Sequence, residues 1–338
     1  MVTLNRQITL AARPTGMPKE SDFRMIESPL PSPGEGEVLV RSLYLSVDPY
    51  MRGRMNEARG YADPVALGAV MVGAAVGVVE ESRSPAVVKG DFAVGMLGWQ
   101  DYAALPAKDL RKVNPAPGPL TTALGILGMP GLTAYFGLLD ICGPKAGETV
   151  VVSGAAGAVG SLVGQIAKIQ GCRAIGIAGG QSKCDYITGE LGFDGAFDYK
   201  ATADYDAKLK QLCPNGVDVY FDNVGGAISD AVFRLMNTGA RVAVCGQISQ
   251  YNLEKPETGP RWLTQILMRQ AKVEGFLVMQ FAAKYAEGLR RMAAWLKEGK
   301  LKYREDIAAG LENAPAAFIG MLQGRNTGKQ LVKTGEAA

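Results

Sequence analysis

The sequence predicts an α/β protein of two domains: a mainly β domain of the small-barrel kind and a doubly wound parallel sheet of six strands. The length of 338 residues exceeds what one hydrophobic core usually supports. Residues 1–125 show short β-rich runs broken by glycine and proline, without alternation of helices and strands. From Thr149 onward strand and helix patterns alternate strictly, which predicts parallel strands joined by right-handed crossovers.

The β-rich runs of the first domain lie at 37–47, 69–82 and 91–105. Turns and barrel corners are expected at the glycines of this region, which are residues 68, 73, 77, 90, 95 and 98. Residues 121–141 then read as helices punctuated by Pro130 and Gly131. The tail 303–334 is too short to fold alone and is expected to return to the first domain. The predicted domains are therefore 1–126 completed by 303–338, and 127–302.

The second domain is predicted from its apolar runs and the helical patterns between them. The expected strands are 149–153, 173–178, 195–198, 217–222, 240–245 and 273–278. Helices are expected to begin near residues 157, 182, 204, 226 and 258, with a further helix over 285–299.

Composition excludes several classes of protein. Hydrophobic content of 47% and charged content of 20% predict a globular protein with a substantial core. A formal net charge of +3 is too small to indicate a nucleic-acid partner. Since no apolar run reaches about 18 residues and the first residues lack an apolar signal segment, we expect neither membrane association nor secretion. The expected location is the cytoplasm.

The chain contains no histidine, which removes the usual ligand of catalytic zinc and the usual general acid. Its five cysteines, at 142, 172, 184, 213 and 245, form no C-x-x-C pair. We therefore expect no metal site and read the cysteines as small buried side chains in a reducing compartment. A proton donor must then be tyrosine, lysine, cysteine, a carboxyl group, the cofactor ribose or water.

Residues 149–161, TVVVSGAAGAVGS, carry the strongest functional signal. A β-branched run ends in a glycine-rich turn, and an apolar-faced helix follows, which is the context of a dinucleotide-binding turn. Alanine replaces the first glycine of the usual fingerprint, so the match is A-x-G-x-x-G. Gly157 would let the backbone approach a pyrophosphate, and Gly160 would let the helix pack closely on the strand. The backbone N–H groups of residues 155–158, Ala155, Ala156, Gly157 and Ala158, are expected to hold the phosphates.

The end of the second predicted strand indicates which dinucleotide is bound. An NAD-preferring site places an acidic residue there, about 20 residues after the turn, to bind the ribose 2′-hydroxyl. This chain has AGGQSK at 178–183 instead, with Lys183 able to reach a 2′-phosphate. The sequence therefore favours NADP(H), although Lys183 could also be an ordinary surface lysine.

Long stretches of the chain resemble the zinc-independent medium-chain dehydrogenases/reductases. Within that family the chain is most similar to the branch of leukotriene dehydrogenase/prostaglandin reductases, plant alkenal double-bond reductases and bacterial curcumin reductases. The stretches that carry the resemblance are 45–55 (LSVDPYMRGRM), 127–138, 154–168, 219–226 (VYFDNVGG), 245–252 (CGQISQYN) and 310–329. The resemblance implies a GroES-like barrel domain, a Rossmann domain and an active site in the cleft between them. It also implies a homodimer joined through the Rossmann domains and an NADPH-dependent reductase of the C=C bond in α,β-unsaturated ketones and aldehydes.

The resemblance also assigns residues to the cofactor. Lys183 and Tyr199 would hold the 2′-phosphate, although Tyr199 could simply be a half-buried tyrosine at a strand end. Asn223 offers a donor and an acceptor to a ribose or carboxamide, with a helix cap as the alternative. The nicotinamide would be lined by two backbone segments after the fifth strand and at the sixth, and the tail would complete the clamp. These remaining cofactor residues are Cys245, Gly246, Ile248, Ser249, Phe276, Val278 and Asn326.

Tyr251 is the predicted catalytic residue. Hydride addition to the β-carbon leaves an enolate, whose oxygen needs a hydrogen-bond donor. A phenol is neutral at pH 7 and can supply that hydrogen bond or a proton, and the family places this tyrosine at the substrate carbonyl. Packing over the cofactor is the alternative role, and water is the alternative proton donor.

Three residues of the first domain are expected at the substrate: Tyr50, Arg52 and Tyr61. Tyr61 lies in a loop, 59–65, that could cover the substrate. Arg52 could equally be structural, paired to Asp48 or to another carboxylate.

Other functions remain open on the sequence. An NADPH-dependent quinone oxidoreductase of the same superfamily would also lack zinc, and a zinc alcohol dehydrogenase would share the fold but need the missing histidines. Some relatives serve as lens crystallins or bind RNA, against which the small net charge and the intact cofactor turn both argue.

Overall fold

The computed structural model describes residues 4–58, 60–115 and 118–336 of the chain. Arg59, the first residue of the expected substrate loop, and Pro117 lie outside the described residues. The strands, numbered along the chain, are β1 Leu4–Leu10, β2 Phe23–Pro29, β3 Glu37–Ser46, β4 Ala75–Ser82, β5 Phe92–Gly95, β6 Tyr102–Pro106, β7 Arg111–Val113, β8 Thr149–Ser153, β9 Arg173–Ala178, β10 Gly195–Asp198, β11 Val217–Asp222, β12 Met236–Val244, β13 Lys272–Gly275, β14 Glu305–Ala309 and β15 Lys329–Lys333.

The α-helices are α1 Tyr50–Arg54, α2 Met129–Phe136, α3 Gly160–Ile169, α4 Gln181–Asp185, α5 Tyr205–Leu212, α6 Gly226–Arg234, α7 Leu263–Met268, α8 Tyr285–Lys297 and α9 Ala314–Leu322. Wider π turns extend α2 over Gly137–Cys142 and α4 over Tyr186–Glu190. Short 3-10 turns occupy Glu20–Asp22, Ala107–Asp109, Leu120–Leu124, Ile248–Gln250, Val278–Lys284 and Leu311–Asn313. In the ranges that the structure describes, no helix is long and apolar enough to span a membrane.

The chain divides into two compact units, Met1–Leu124 with Glu305–Ala338, and Gly125–Arg304. The first unit is built on a mixed sheet of order β14-β15-β3-β4-β5-β7, with β6 also paired to β3 and a separate β1–β2 hairpin. Its core contains Phe23, Trp99 and Phe318, whose rings stack or meet edge to face with centroids 5.5–6.2 Å apart. Since β14 and β15 come from the end of the chain, this unit is assembled from two distant segments.

The second unit is a six-stranded parallel sheet of order β10-β9-β8-β11-β12-β13. The doubly wound sheet predicted from the sequence is therefore confirmed, and β8 to β11 all have the predicted bounds. The central strand β8 is buried along its whole length, with Val150–Val152 fully inaccessible to solvent. Strands buried on both faces read as continuous β-branched runs, which is why their bounds are legible in the sequence.

The largest strand-boundary differences from the prediction lie in β12 and β13. The strand β12 begins at Met236 rather than at 240, because a register shift between β11 and β12 lets Met236 pair with Val217. The sixth strand ends at Gly275, so Phe276 and Val278 lie beyond it rather than in it. Their side chains belong to the core. Because the sequence stays apolar through residue 278, the prediction placed the end of the strand too late.

Two helices also start later than predicted. The helix α3 begins at Gly160 rather than near 157, because Gly157 donates its N–H to Gly154 O in a turn (3.0 Å). The helix expected near 258 begins at Leu263. Pro260 explains this delay, since proline disfavours helical conformation in the residue before it.

Candidate active site

The carboxyl ends of the parallel strands meet at one edge of the second unit, and the loops that follow them carry the predicted cofactor residues. The strand order reverses between β8 and β11, because β9 and β10 lie on one side of β8 while β11 to β13 lie on the other. Ligands of doubly wound sheets bind at such a reversal point. The turn after β8 and the loop after β11 are therefore the centre of the candidate site.

The turn after β8 is held by its own backbone. Gly154 adopts a positive φ of 62°, and Ala155 donates its N–H to Ile177 O at 3.0 Å. Gly157 donates its N–H to Gly154 O, so two of the four amides expected to bind phosphate already have acceptors. Within the described part of the chain, Ala156 and Ala158 donate to no other group, and their amides lie just before the N-terminus of α3.

Gly160 sets the distance between α3 and this turn. A Cβ atom added at Gly160 would lie 2.3 Å from Gly154 O and 2.9 Å from Ala155 Cα. The helix thus packs on the turn at a distance that only glycine permits. The two unengaged amides and the positive end of the α3 dipole fit a pyrophosphate at this turn.

Tyr199 lies against the end of the neighbouring strand β9. Its hydroxyl would be 3.0 Å from a Cβ atom added at Gly179, and its N–H donates to Ala178 O at 3.0 Å. Burial, with a smaller contribution from Asp198, raises the pKa of Tyr199. Lys183 is half-buried on α4, which also follows β9. Both residues expected at the 2′-phosphate therefore stand at the same end of the sheet.

Asp198, the last residue of β10, was not singled out from the sequence. Its Oδ1 accepts the N–H groups of Gly180 (2.8 Å) and Lys200 (2.9 Å), and these hydrogen bonds lower its pKa. The acidic residue missing at the end of β9 thus has a counterpart at the end of β10. Its carboxylate holds the backbone of the loop that leads into α4.

Asn223 bridges the ends of β8 and β11. Its N–H donates to Ser153 Oγ at 2.9 Å and its Nδ2 donates to Ser153 O at 2.7 Å. The alternative reading, a helix cap, is wrong, because α6 begins at Gly226 with Gly225 in the capping position and no side-chain cap.

Asp222, the residue before Asn223, is a buried hub that sequence reasoning missed. Its Oδ1 accepts hydrogen bonds from two hydroxyls and two backbone amides at 2.9–3.1 Å, and its Oδ2 accepts from a hydroxyl and an amide at 2.8 Å. The donors are Ser153 Oγ, Tyr220 Oη, Val224 N, Gly225 N, Ser229 Oγ and Gln247 Nε2. The carboxylate thereby ties β8, β11, α6 and the loop after β12 together. The two glycines that follow it in FDNVGG were the available signal for a tight turn around this side chain.

The loop after β12 is fastened to the loop after β11. Cys245 and Gly246 donate their N–H groups to Asp222 O at 2.8 and 3.1 Å. Ile248 donates to Asn223 O at 3.4 Å, and Ser249 donates to Val224 O through its N–H at 3.0 Å and its hydroxyl at 2.6 Å. Burial raises the pKa of Cys245 to about 12, so its thiol is neutral near pH 7.

Tyr251 closes the 3-10 turn that this loop forms. Its phenol oxygen accepts the N–H of Gln247 at 3.3 Å and would lie 3.2 Å from a Cβ atom added at Gly246. Burial raises the pKa of Tyr251, and the Gln247 hydrogen bond opposes that effect. A phenol oxygen that accepts a hydrogen bond still carries its own O–H, so Tyr251 can also act as a donor.

The side chains of Phe276 and Val278 are buried in the core of the second unit. The Phe276 ring meets Phe221 edge to face with centroids 6.1 Å apart, and its N–H donates to Val244 O at 3.3 Å.

In the first unit, Tyr50 and Arg52 lie on α1. Burial, followed by Asp48 and then Tyr61, raises the pKa of Tyr50 well above its usual value; Tyr61 itself is 56% exposed. Arg52 is buried and donates to Gly16 O (3.0 Å) and Asn56 Oδ1 (2.5 Å). These partners support its structural reading.

Asp48, which the sequence suggested as a partner for Arg52, forms its ion pair with another residue. Asp48 receives hydrogen bonds from Lys329 Nζ at 2.8 Å and from the Ser46 hydroxyl, and both charged side chains are almost completely buried. The suggested pairing of Arg52 with Asp48 is thus replaced by Asp48 with Lys329. Three residues before Lys329, Asn326 donates its Nδ2 to Gly328 O at 2.9 Å.

Among the described residues no three histidine, cysteine or acidic side chains cluster closely enough to hold an ion.

Two protein families match the chain: "N-terminal domain of oxidoreductase" over residues 6–113 and "Zinc-binding dehydrogenase" over residues 158–294. The chain is 47% identical to NADPH-dependent curcumin reductase of Escherichia coli (strain K12), covering 97% of this chain and 96% of the relative. It is 46% identical to 2-alkenal reductase (NADP(+)-dependent) of Nicotiana tabacum, over 97% of each chain. The crystal structure of CurA from Vibrio vulnificus in complex with NADPH superposes with a TM-score of 0.94 at 48% identity, covering 98% of this chain and 100% of that one.

The chain belongs to the medium-chain dehydrogenase/reductase family, in the branch of these double-bond reductases. The resemblance read from the sequence is therefore confirmed. The family description mentions zinc, whereas this chain has no histidine with which to bind it.

Proposed function

We propose that the chain is an NADPH-dependent reductase of the C=C bond in α,β-unsaturated ketones and aldehydes. The observation that carries the proposal is the position of the Tyr251 phenol in the loop after β12, where its oxygen accepts the Gln247 N–H beside the strand reversal. The curcumin and 2-alkenal reductases named above act on substrates of this class, which supports it.

The proposed cofactor site uses the carboxyl edge of the parallel sheet. Ala156, Ala158 and the N-terminus of α3 would hold the pyrophosphate, and Lys183 with Tyr199 the 2′-phosphate. Asn223 and the backbones of the 245–249 and 276–278 segments would contact the nicotinamide half. NADPH, when bound, supplies the hydride that is added to the β-carbon of the substrate. We assign Asn326 to the cofactor, and Tyr50 and Tyr61 to the substrate, on the family resemblance.

The chain's own contribution to the reaction is enolate stabilisation. Addition at the β-carbon places negative charge on the carbonyl oxygen, and Tyr251 donates a hydrogen bond to that oxygen. Since burial raises the pKa of Tyr251, the phenol stays protonated across the neutral range. The α-carbon then receives its proton from Tyr251 or from water, and no covalent bond to the protein forms.

The experiment that tests the proposal is oxidation of NADPH, with NADH in parallel, against conjugated enones, alkenals, quinones and simple ketones. We expect turnover of the conjugated alkenes with NADPH, and saturated ketones or aldehydes as products. Tyr251→Phe should lower kcat/KM on an enone by about 100-fold, the usual effect of losing one oxyanion donor. Turnover of quinones alone would move the protein to the rival quinone oxidoreductase branch.

A homodimer joined through the second unit is part of the proposal. The strand β13 is the last of the sheet order, and the adjoining helix α7 exposes Leu263 (81%), Leu267 (76%) and Met268 (68%). Exposed apolar groups beside an edge strand favour pairing with a second copy. Light scattering should give twice the chain mass of 35.7 kDa. Replacing Leu267 with Glu should yield monomers, and a monomeric wild-type protein would refute this part.

We also place the enzyme in the cytoplasm. Its five cysteines are all present as free thiols, as a reducing compartment would keep them.

A further inference from the structure

Gln247 makes two connections that no catalytic role explains by itself. Its main-chain N–H donates to the Tyr251 oxygen at 3.3 Å. Its side-chain Nε2 donates to Asp222 Oδ2 at 2.8 Å and to Gly246 O at 3.0 Å. One residue therefore joins the predicted catalytic phenol to the buried carboxylate at the end of β11.

The Gln247 side chain occupies space that is free only because residue 225 is glycine. Gly225 has a positive φ of 75°, and a Cβ atom added there would lie 2.1 Å from Gln247 Oε1. Any other residue at 225 would push the Gln247 amide away from Asp222. Glycine at this position thus serves the contact between Gln247 and Asp222 as well as the turn.

We propose that Gln247, anchored on Asp222, is a positioning residue that sets the orientation of the Tyr251 phenol. The inference rests on the proposed function and deepens it. Asp222 is itself fixed by donors from β8, β11 and α6, so the anchor is rigid. Anchored in this way, Gln247 holds the loop after β12 in place, and its N–H donates to the Tyr251 oxygen and thereby fixes the direction of the phenol. The phenol's own O–H can then donate to the substrate oxygen.

The first experiment combines Gln247→Leu with Tyr251→Phe. Gln247→Leu removes the anchor, and we expect kcat on a conjugated enone to fall about tenfold while the KM for NADPH changes by less than about twofold. In a Tyr251→Phe background the same change should have almost no further effect, because the phenol it orients is gone. Gln250→Leu, the same substitution at an exposed site of the same turn, should leave kcat unchanged.

The second experiment reverses the polarity of the anchor. Asp222→Asn places an NH2 donor against Gln247 Nε2, whose orientation is also held by its bond to Gly246 O. Gln247→Glu faces one carboxylate with another, so each single variant should lose activity. The double variant can form the hydrogen bond in the opposite direction, from the amide at 222 to the carboxylate at 247. We expect it to recover kcat about fivefold over the weaker single variant. Thermal unfolding of each variant identifies any that fails to fold. If Asp222→Asn does not fold, the Gln247→Leu experiment still tests the proposal.

The outcomes separate this inference from the proposed function. Equal losses from Gln247→Leu with and without the Tyr251 phenol, or a KM effect on NADPH without a kcat effect, would overturn the positioning role while leaving the reductase standing. Full activity of Tyr251→Phe would overturn it too, and again leave enone reduction intact. A wild-type protein silent towards every conjugated enone would overturn both.

Discussion

Replacing Gly160 with alanine should damage the cofactor turn more than its single methyl group suggests. The new Cβ atom would stand 2.3 Å from Gly154 O, whereas real Cβ atoms stay at least 3.0 Å from such neighbours. The helix α3 and the turn must therefore separate by at least 0.7 Å, the difference between these two distances. Both contacts are with backbone, so no side chain can rotate aside. Overpacking of this kind costs about 1–3 kcal/mol.

The shift acts on the same amides that are proposed to hold the pyrophosphate. We expect the Kd for NADPH to rise about tenfold or more, since hydrogen bonds to a fixed phosphate tolerate little displacement. The melting temperature should fall by several degrees, at about 2–4 °C per kcal/mol for a domain of this size. Titration of NADPH fluorescence and thermal unfolding measure the two effects separately.

Gly189→Ala is the matched control. Gly189 lies in a helical turn of the same unit, and an added Cβ would have nothing within 4 Å. Alanine there should be neutral or stabilise by up to about 1 kcal/mol, because it restricts the unfolded chain. Wild-type NADPH affinity and an unchanged melting temperature in Gly160→Ala would refute the reasoning about this contact.

Three further predictions follow from the buried and charged groups. Lys329→Met should lower the free energy of unfolding by about 3–5 kcal/mol, because it leaves Asp48 buried without its partner; Lys112→Met, in an ion pair whose lysine is 54% exposed, should cost less than about 1 kcal/mol in the same denaturant titration. Lys183→Ala should raise the KM for NADPH and leave that for NADH unchanged, and an equal rise for both would remove this lysine from the 2′-phosphate. Burial raises the pKa of Cys245 to about 12 and those of the other thiols to about 11 or 12. Alkylation of the native protein at pH 8 should therefore be slow and should accelerate as pH rises or on unfolding, whereas rapid labelling at pH 8 would contradict the burial argument.

The parallel sheet was legible in the sequence because its strands are buried on both faces and end at clear turns. The predicted strand ends were wrong where an apolar run continued past the strand. Phe276 and Val278 continue such a run but belong to the core beyond β13. The register shift that draws Met236 into β12 depends on pairing with β11 and leaves no local pattern. Local sequence therefore predicted which strands exist better than where each one ends.

The candidate site was predictable as far as its chemistry lay in short motifs. The glycine turn and Tyr251 each stand in a recognisable stretch. Asp222 does not, because its donors come from positions up to 69 residues away in the chain and meet only in the folded sheet. The same is true of Asp48, whose partner Lys329 is 281 residues distant. A buried carboxylate cannot be told from a surface one until its donors are located.

The separation of Asp48 and Lys329 by 281 residues along the chain has a consequence for biosynthesis. A ribosome makes β3 early, but β15, which pairs with it, follows only after every strand of the parallel sheet has been made. At about 5–20 residues per second, the nascent chain carries an unpaired β3 edge and an unneutralised Asp48 for more than ten seconds. The second unit is complete before that wait ends. The unit that holds the first residues of the chain is therefore the last to close.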